Sequence, residues 1–377
     1  MAEIKACYIG NIASHYRASI FSKMCEVFSC DFYFGQPFGS IKDIKTLPTS
    51  FFSTHAEQLQ NIIIPVINKF WQKGAVGLLR KDYDVYIMFA EISYLSTWMM
   101  LVLNKLFFHK KIIFWGHGLS GAESPLKKRI RLFFYNLSDC VLVYGNRAIG
   151  LMEKEGIRAN KLFPIHNSLD YEKSLEIIKG GSSVNLIHDH FKNTFPTIVF
   201  SGRLTASKKL EMIVDAVSRI KQDGNIINCV LIGSGSEENN LKELVRRKDL
   251  CNQFWFFGEC YDEKVIGNIF WNATVCVSPG NVGLTAIHSL TYGCPVVTHD
   301  DFSHQGPEHE VIEPSVTGSF FECGNVESLN ACIMEWCYPT NKNMTAIRHE
   351  CQKVIQKEWN PDYQIKIIKE AIVYVCQ

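Results

Sequence analysis

The sequence predicts an α/β protein made of two doubly wound parallel sheets. Three observations predict it. Short apolar strands alternate with helical patterns along the chain. The 377 residues exceed what one compact core usually organises. The alternation breaks once, near residues 178–190, and then restarts. Hydrophobic residues at 47% and charged residues at 20% describe a folded globular chain.

The elements follow in order. Residues 5–9 read as a strand, with the turn Gly10-Asn11 and a helical segment over 16–27 behind it. Strand 85–90 leads into helix 92–106, and strand 111–115 into Gly116-His117-Gly118 and helix 125–136. Strand 140–144 leads into helix 147–155, and strand 162–166 ends at Asn167. The glycine-rich stretch from Lys179 to Ser183 reads as a linker. Strand 197–200 then leads into a helix over 207–220, strand 229–232 into helix 237–247, and strand 254–257 into helix 263–271. Strands at 274–277 and 295–298 flank a short helix, residues 319–320 are extended, and helices cover 326–336 and 361–375. The expected domains are 1–178 and 196–358, joined by a linker over 179–195. A terminal helix over 359–377 is expected to pack towards the first domain. Both sheets are expected to turn their carboxyl ends to a shared cleft.

Fourteen cysteines form no Cys-x-x-C pair, so a zinc or thioredoxin-type motif is not expected. They read as small buried hydrophobes of a reducing, cytoplasmic compartment. The first strand does not resemble a secretory leader. The longest mainly apolar run, 92–103, is too short to cross a bilayer. The net charge of +1 hides an asymmetry, +7 over residues 1–175 and −6 over the remainder. A basic first half suits an anionic partner such as a membrane surface, and no nucleic acid is expected. Residues 68–73, 105–111 and 127–134 each mix lysine or arginine with aromatic and aliphatic side chains, which suits a lipid interface.

Chemistry concentrates in the second half. Residues 278–297 read as a strand end, a glycine-bearing turn, a short helix and a second strand. Such a turn lets a ligand approach the backbone and suits a phosphate or sugar phosphate. In the turn 201–209, Gly202 ends a strand and Arg203 precedes Lys208 by five residues, a spacing that would grip a diphosphate from two sides. Gly233-x-Gly235 lacks the third glycine of a dinucleotide fingerprint and reads as a turn near a nucleoside. His117, between two glycines, is available for hydrogen bonding or proton transfer. Asp82-x-Asp84 and Asp300-Asp301 are weak metal candidates, and neither a metal nor a cofactor is expected.

These residues resemble the retaining glycosyltransferases of family 4. The resemblance rests on Ser201-Gly202-Arg203-Leu204 with Lys208, on residues 231–237, on Gly258 and the helix after it, and on Ser278-Pro279. Gly283-Leu284, residues 293–297, and Glu310 followed by Thr317-Gly318 complete it in the second half. Asn167-Ser168-Leu169-Asp170 matches a motif at the end of the first domain, and Gly10, Tyr16-Arg17 and the His117 loop match loosely. One departure matters: the family's glutamate pair falls on Gly280 and His288. In the family the second glutamate holds the ribose, and the first faces the donor sugar.

The resemblance implies the two-domain GT-B fold and transfer of a hexose-type sugar, UDP-linked rather than GDP-linked, with retained anomeric configuration. The acceptor it implies is a glycan or lipid-linked molecule in surface polysaccharide biosynthesis, on the cytoplasmic side of a membrane. Arg203, Lys208 and the helix beginning near Leu284 would stabilise the leaving diphosphate, and His117 would contact the sugar or align the acceptor. Gly202, Gly233, Gly235, Asn281, Val282, Gly283, Leu284 and Thr285 would line the donor. His288 would hold the ribose, and Glu308 and Glu310 would face the sugar. Gly10, Tyr16 and Arg17 would lie on the acceptor side. A nucleotide-sugar epimerase of the same fold and a non-catalytic nucleotide-sugar-binding protein stay open as alternatives.

Overall fold

The computed structural model describes residues 4–39, 44–181, 184–340 and 343–377. The chain divides into two units, Met1–Asp170 with Asn360–Gln377, and Tyr171–Trp359.

The first unit begins with β1 (Ala6–Gly10), apolar and buried along its whole length, as a central strand covered on both faces must be. Next come α1 (Ala18–Phe28), β2 (Asp31–Gly35), β3 (Ala56–Ile64), β4 (Lys69–Lys73) and β5 (Val85–Phe89). Then follow α2 (Leu95–Leu103), β6 (Lys111–Gly116), α3 (Pro125–Asn136), β7 (Cys140–Val143), α4 (Asn146–Lys154) and β8 (Leu162–Pro164). Among the described residues these strands form one eight-stranded sheet in the order β4-β3-β2-β1-β5-β6-β7-β8. It is parallel except at its edge, where β4 runs antiparallel to β3. Two apolar layers cover its faces, one built around Tyr8, Phe21, Phe32 and Trp115, the other around Tyr86, Phe114 and Phe134.

The second unit holds α5 (Tyr171–Gly180), α6 (Leu186–Phe191), β9 (Thr197–Ser201), α7 (Glu211–Gln222), β10 (Asn228–Ile232), α8 (Glu238–Arg247) and β11 (Phe254–Gly258). It continues with α9 (Glu263–Asn272), β12 (Val275–Ser278), α10 (Thr285–Thr291), β13 (Val296–His299), β14 (Gly318–Phe321), α11 (Val326–Cys337) and α12 (Met344–Glu358). Its six strands are parallel, in the order β11-β10-β9-β12-β13-β14. The terminal helix α13 (Pro361–Cys376) belongs to the first unit, where Ile368, Ala371 and Ile372 join the core beside α1. Cys7, Cys30, Cys140, Cys229 and Cys276 are buried.

The structure corrects several expectations. The chain divides after Asp170 rather than 178, because α5 packs against α9 within the second unit. The stretch expected as a linker, 179–195, contains α6, tied to α9 by the Leu186 N–H donating to Asn268 Oδ1 at 3.1 Å. Ser182 and Ser183 lie outside the described residues. The helix expected over 92–106 ends at Leu103 and passes into a wider turn over Asn104–Phe108. The Asn104 side chain spans that turn, accepting from Lys110 N–H and donating to its carbonyl. Strands β2, β3 and β4 and helix α12 were not expected. In β3 most side chains are exposed and Ile62, Ile63 and Ile64 run consecutively, so the two-residue alternation that marks a half-buried strand is missing.

Candidate functional site

The site is built from three neighbouring strand ends of the second sheet. Registers pair Ile232 with Ser201, and Val199 with Cys276, so the loops after β10, β9 and β12 emerge side by side. Main-chain bonds lock them together. Gly202 N–H donates to Ile232 O at 2.9 Å, Leu204 N–H to Ser234 O at 2.9 Å, and Gly280 N–H to Lys208 O at 3.0 Å. Gly233 has φ +132° and packs so closely that a Cβ there would lie 2.0 Å from Gly202 O. A Cβ at Gly280 would lie 2.2 Å from Ser207 O. A glutamate at 280 is therefore excluded by backbone contact, which accounts for the departure at that position. Gly235 sits in the turn that follows β10, against Leu204.

The lock presents two cations. Arg203 is exposed, and its side chain makes no hydrogen bond or ion pair among the described residues. Lys208 is partly buried, and its ammonium donates to the carbonyl of Asn281. Burial pushes its pKa down and the Arg203 charge pushes the same way, while Glu308 opposes both. Glu308 is buried on the short turn Pro307–Val311, and Glu310 lies on the same turn.

Residues 281–285 are tied down by their surroundings. Asn281 Nδ2 donates to His304 O at 3.2 Å, and Val282 N–H donates to Gln305 Oε1 at 2.9 Å. Gln305 Nε2 reaches Thr298 Oγ1 at 2.8 Å, so this glutamine joins the turn to β13. Sequence reasoning missed Gln305, which carries no motif. Gly283 takes φ +52°, Leu284 is half-buried, and Thr285 Oγ1 donates to Ser201 O at 2.9 Å. With only seven residues, α10 offers a short dipole, so local N–H groups matter more than its length.

His288, on α10, places Nε2 2.9 Å from Glu263 Oε2, and Tyr292 OH donates to the same oxygen at 3.0 Å. Burial raises the Glu263 pKa, but His288, the Tyr292 hydrogen bond and the Lys173 charge together outweigh it and hold the carboxyl below its usual value. Glu263 and Tyr292 line a cavity of about 1050 Å³ that also contains Tyr261 and Trp271. Sequence reasoning did not find Glu263, because its link to His288 spans 25 positions and two helices.

In the first unit, His117 is exposed on the loop after β6. That loop is held by Gly118 N–H on Tyr135 OH at 3.1 Å and by Arg131 on Gly118 O at 3.3 Å. Glu123 accepts from the N–H groups of Ser120 and Gly121 at 2.7 and 2.9 Å. The Gly10 carbonyl accepts from Gln72 Nε2 at 2.9 Å. Tyr16 is exposed, while Arg17 stacks over Trp115 and Tyr144 at 5.1 and 5.4 Å and bonds Tyr8 OH at 3.4 Å. The aspartate pairs are engaged: Asp82 and Asp84 hold Lys5, Asp300 accepts from Cys323 N–H, and Asp301 holds Ser303 and His304. Among the described residues no group of three or more His, Cys, Asp or Glu side chains is arranged to hold a metal. No helix among them is long and apolar enough to cross a membrane.

Residues 186–349 match the family described as Glycosyl transferases group 1. No curated protein matches the chain. Among solved structures, the lipopolysaccharide outer core galactosyltransferase WaaB in its apo form is similar, with TM-score 0.72 and 14% identity over 98% of this chain and 99% of its own. HepE of Anabaena in complex with UDP is similar at TM-score 0.72 and 15% identity, over 98% and 100%. A glycosyltransferase of Rickettsia africae is similar at TM-score 0.72 and 15% identity, over 100% of both chains. Such identities speak for the fold, and the family match speaks for the site-bearing unit. Residues 186–349 are similar to glycosyl transferases group 1 domains, the whole chain has the GT-B architecture, and the protein is a glycosyltransferase.

Proposed function

We propose that the protein transfers a hexose-type sugar from a nucleotide-sugar donor to a glycan or lipid-linked acceptor, with retained configuration. The observation that carries this is the partnerless Arg203 beside Lys208 on interlocked strand-end loops. When the sugar leaves, charge builds on the departing diphosphate, and preorganised cations stabilise that charge without rearranging. Arg203 is open to an anion from the start. Lys208 would exchange the Asn281 carbonyl for a phosphate oxygen, and Glu308 partly offsets the lowering of its pKa by burial and Arg203. The acceptor hydroxyl attacks from the face the diphosphate leaves, giving its proton to a phosphate oxygen, so no protein nucleophile is needed. His117 offers a hydrogen bond to the sugar or acceptor.

UDP is the favoured nucleotide, since solved HepE structures hold UDP and UDP-glucose. A surface-polysaccharide acceptor fits the activity named for WaaB. We place the enzyme in retaining family 4 on the motifs that run from Gly202 to Gly318. Nucleotide-sugar donors should be screened for protection against thermal unfolding, then for turnover with candidate acceptors. A ligand at about 100 times its dissociation constant adds about 2.7 kcal/mol, a shift that is readily measured. Protection by UDP-sugars, with UDP released only when acceptor is supplied, is expected. Donor binding without turnover on any acceptor would favour a second reading, a binding protein, which the lack of a side chain at Gly280 supports.

A further inference from the structure

The His117 imidazole makes no hydrogen bond or ion pair among the described residues, and it packs beside the Tyr144 ring with centroids 4.9 Å apart. Both ring nitrogens are therefore open to a ligand. A side chain held by so little takes its orientation from its backbone, so the loop beneath it must hold still. Its composition works against that. Gly116, Gly118 and Gly121 fall close together, and the last two take φ of +68° and +89°.

One carboxylate closes the loop. Glu123 Oε1 accepts from Ser120 N–H at 2.7 Å and Oε2 from Gly121 N–H at 2.9 Å, and the side chain is only 4% exposed. Burial alone would raise the Glu123 pKa, but the surrounding N–H groups and the Ser120 hydroxyl outweigh it and hold the carboxyl below its ordinary value. Arg131 of α3 then joins the carboxylate to the residue beside His117. Its Nη1 donates both to Glu123 Oε1 at 3.2 Å and to Gly118 O at 3.3 Å, while Nη2 lies 3.9 Å from Glu91 on the loop after β5.

The backbone is thus fixed on both sides of His117. Before it, Gly116 O accepts from Tyr144 N–H at 3.3 Å. After it, Gly118 is held at its N–H by Tyr135 OH and at its carbonyl by Arg131. A largely buried ion pair returns little net stability, because desolvation offsets the attraction. What this one supplies is geometry.

We propose that Glu123 and Arg131 are positioning residues that hold the His117 imidazole in the orientation in which it meets the substrate. This rests on the reading that His117 contacts the sugar or the acceptor, and it assigns the residues that make that contact possible.

The test labels the histidine Cε1 atoms of the full chain with carbon-13 and follows the His117 signal by NMR, identified by its loss in His117→Ala. A single sharp signal is expected in the wild type. Glu123→Gln keeps the shape but turns an amide NH₂ towards one of the two N–H donors, so the His117 signal should broaden or split. The signal of His55 should stay in place, which shows the fold intact. Arg131→Lys keeps the charge and loses the fork, and should act in the same direction more weakly. With UDP-glucose as the donor probe, the kcat of UDP release should fall about tenfold or more in Glu123→Gln, with KM changed less than about twofold. Adding Glu123→Gln to His117→Ala should cost little further turnover. An unchanged His117 signal in both clasp variants would overturn the proposal, and so would an equal loss of turnover with and without His117. An altered signal in the clasp variants together with full turnover in His117→Ala would instead overturn the reading of His117 on which the proposal rests.

Discussion

Glu263 Oε2 lies 2.9 Å from His288 Nε2 and accepts a second hydrogen bond from Tyr292 OH. The histidine at the position of a family glutamate is thus bound to a carboxylate supplied by another helix. Two roles separate by experiment. If the pair serves the nucleotide, His288→Ala weakens donor affinity in a ligand-induced thermal shift. As a structural bond alone, its loss costs about 1 kcal/mol and leaves affinity unchanged.

The pair also predicts a pH dependence. The folded-state pKa of Glu263 is held below its unfolded value, so its stabilising contribution is present above the unfolded pKa, about 4.3. That contribution is lost as pH falls through the lower folded value. The stability gap between wild type and His288→Ala should be full at neutral pH and shrink in strong acid. A gap that persists through the acid range would mean the carboxylate is not the partner that matters.

Arg203 and Lys208 should respond differently to truncation. Arg203 has no partner among the described residues, so Arg203→Ala should leave the melting temperature nearly unchanged and lower turnover by ~10²-fold or more. Lys208→Ala removes the bond to the Asn281 carbonyl and should lower both turnover and stability, the latter by about 1 kcal/mol. Steady-state kinetics with thermal unfolding on the two variants checks this. Near-normal turnover in both would refute the diphosphate assignment.

Much of this was legible because local and tertiary signals agree. Helix α3 announces itself with Ser124-Pro125 and a helical apolar stripe, and its bounds match the expected 125–136. The strands of the second sheet are short, apolar and bounded by glycine, so their order of appearance could be read directly. Strand β3 was illegible because most of its side chains are exposed and three isoleucines run consecutively, so the alternation of a half-buried strand is absent. Gln305 and Glu263 were illegible because each acts across a fold-generated contact, 23 and 25 positions away from Val282 and His288. The exclusion of a side chain at 280 likewise depends on where the Ser207 backbone passes.

Chelation gives a further prediction. The carboxylates that looked able to hold a metal are occupied by Lys5, Ser303, His304 and a main-chain N–H. Arg203 and Lys208 supply positive charge at the strand-end loops instead. Turnover should survive a strong chelator with little change. Strict dependence on magnesium or manganese would show that the two cations do not carry the diphosphate alone.

Restoring the family glutamate at position 280 should fail. Gly280 N–H is bonded to Lys208 O at 3.0 Å, and a Cβ there would approach Ser207 O to 2.2 Å and the Lys208 Cα to 2.8 Å. Those are backbone atoms, so no rotamer change relieves the contact, and the two loops must part. Overpacking of this kind costs about 1–3 kcal/mol. Parting the loops would also displace Lys208 from Asn281, so Gly280→Glu should lose stability and donor affinity together. Gly280→Ala separates the causes, because it adds the clashing atom without the carboxylate. Both variants are expected to melt below wild type and to turn over more slowly. A Gly280→Glu enzyme with undiminished melting temperature and faster turnover would mean that the loops open readily and that the site accepts the missing carboxylate.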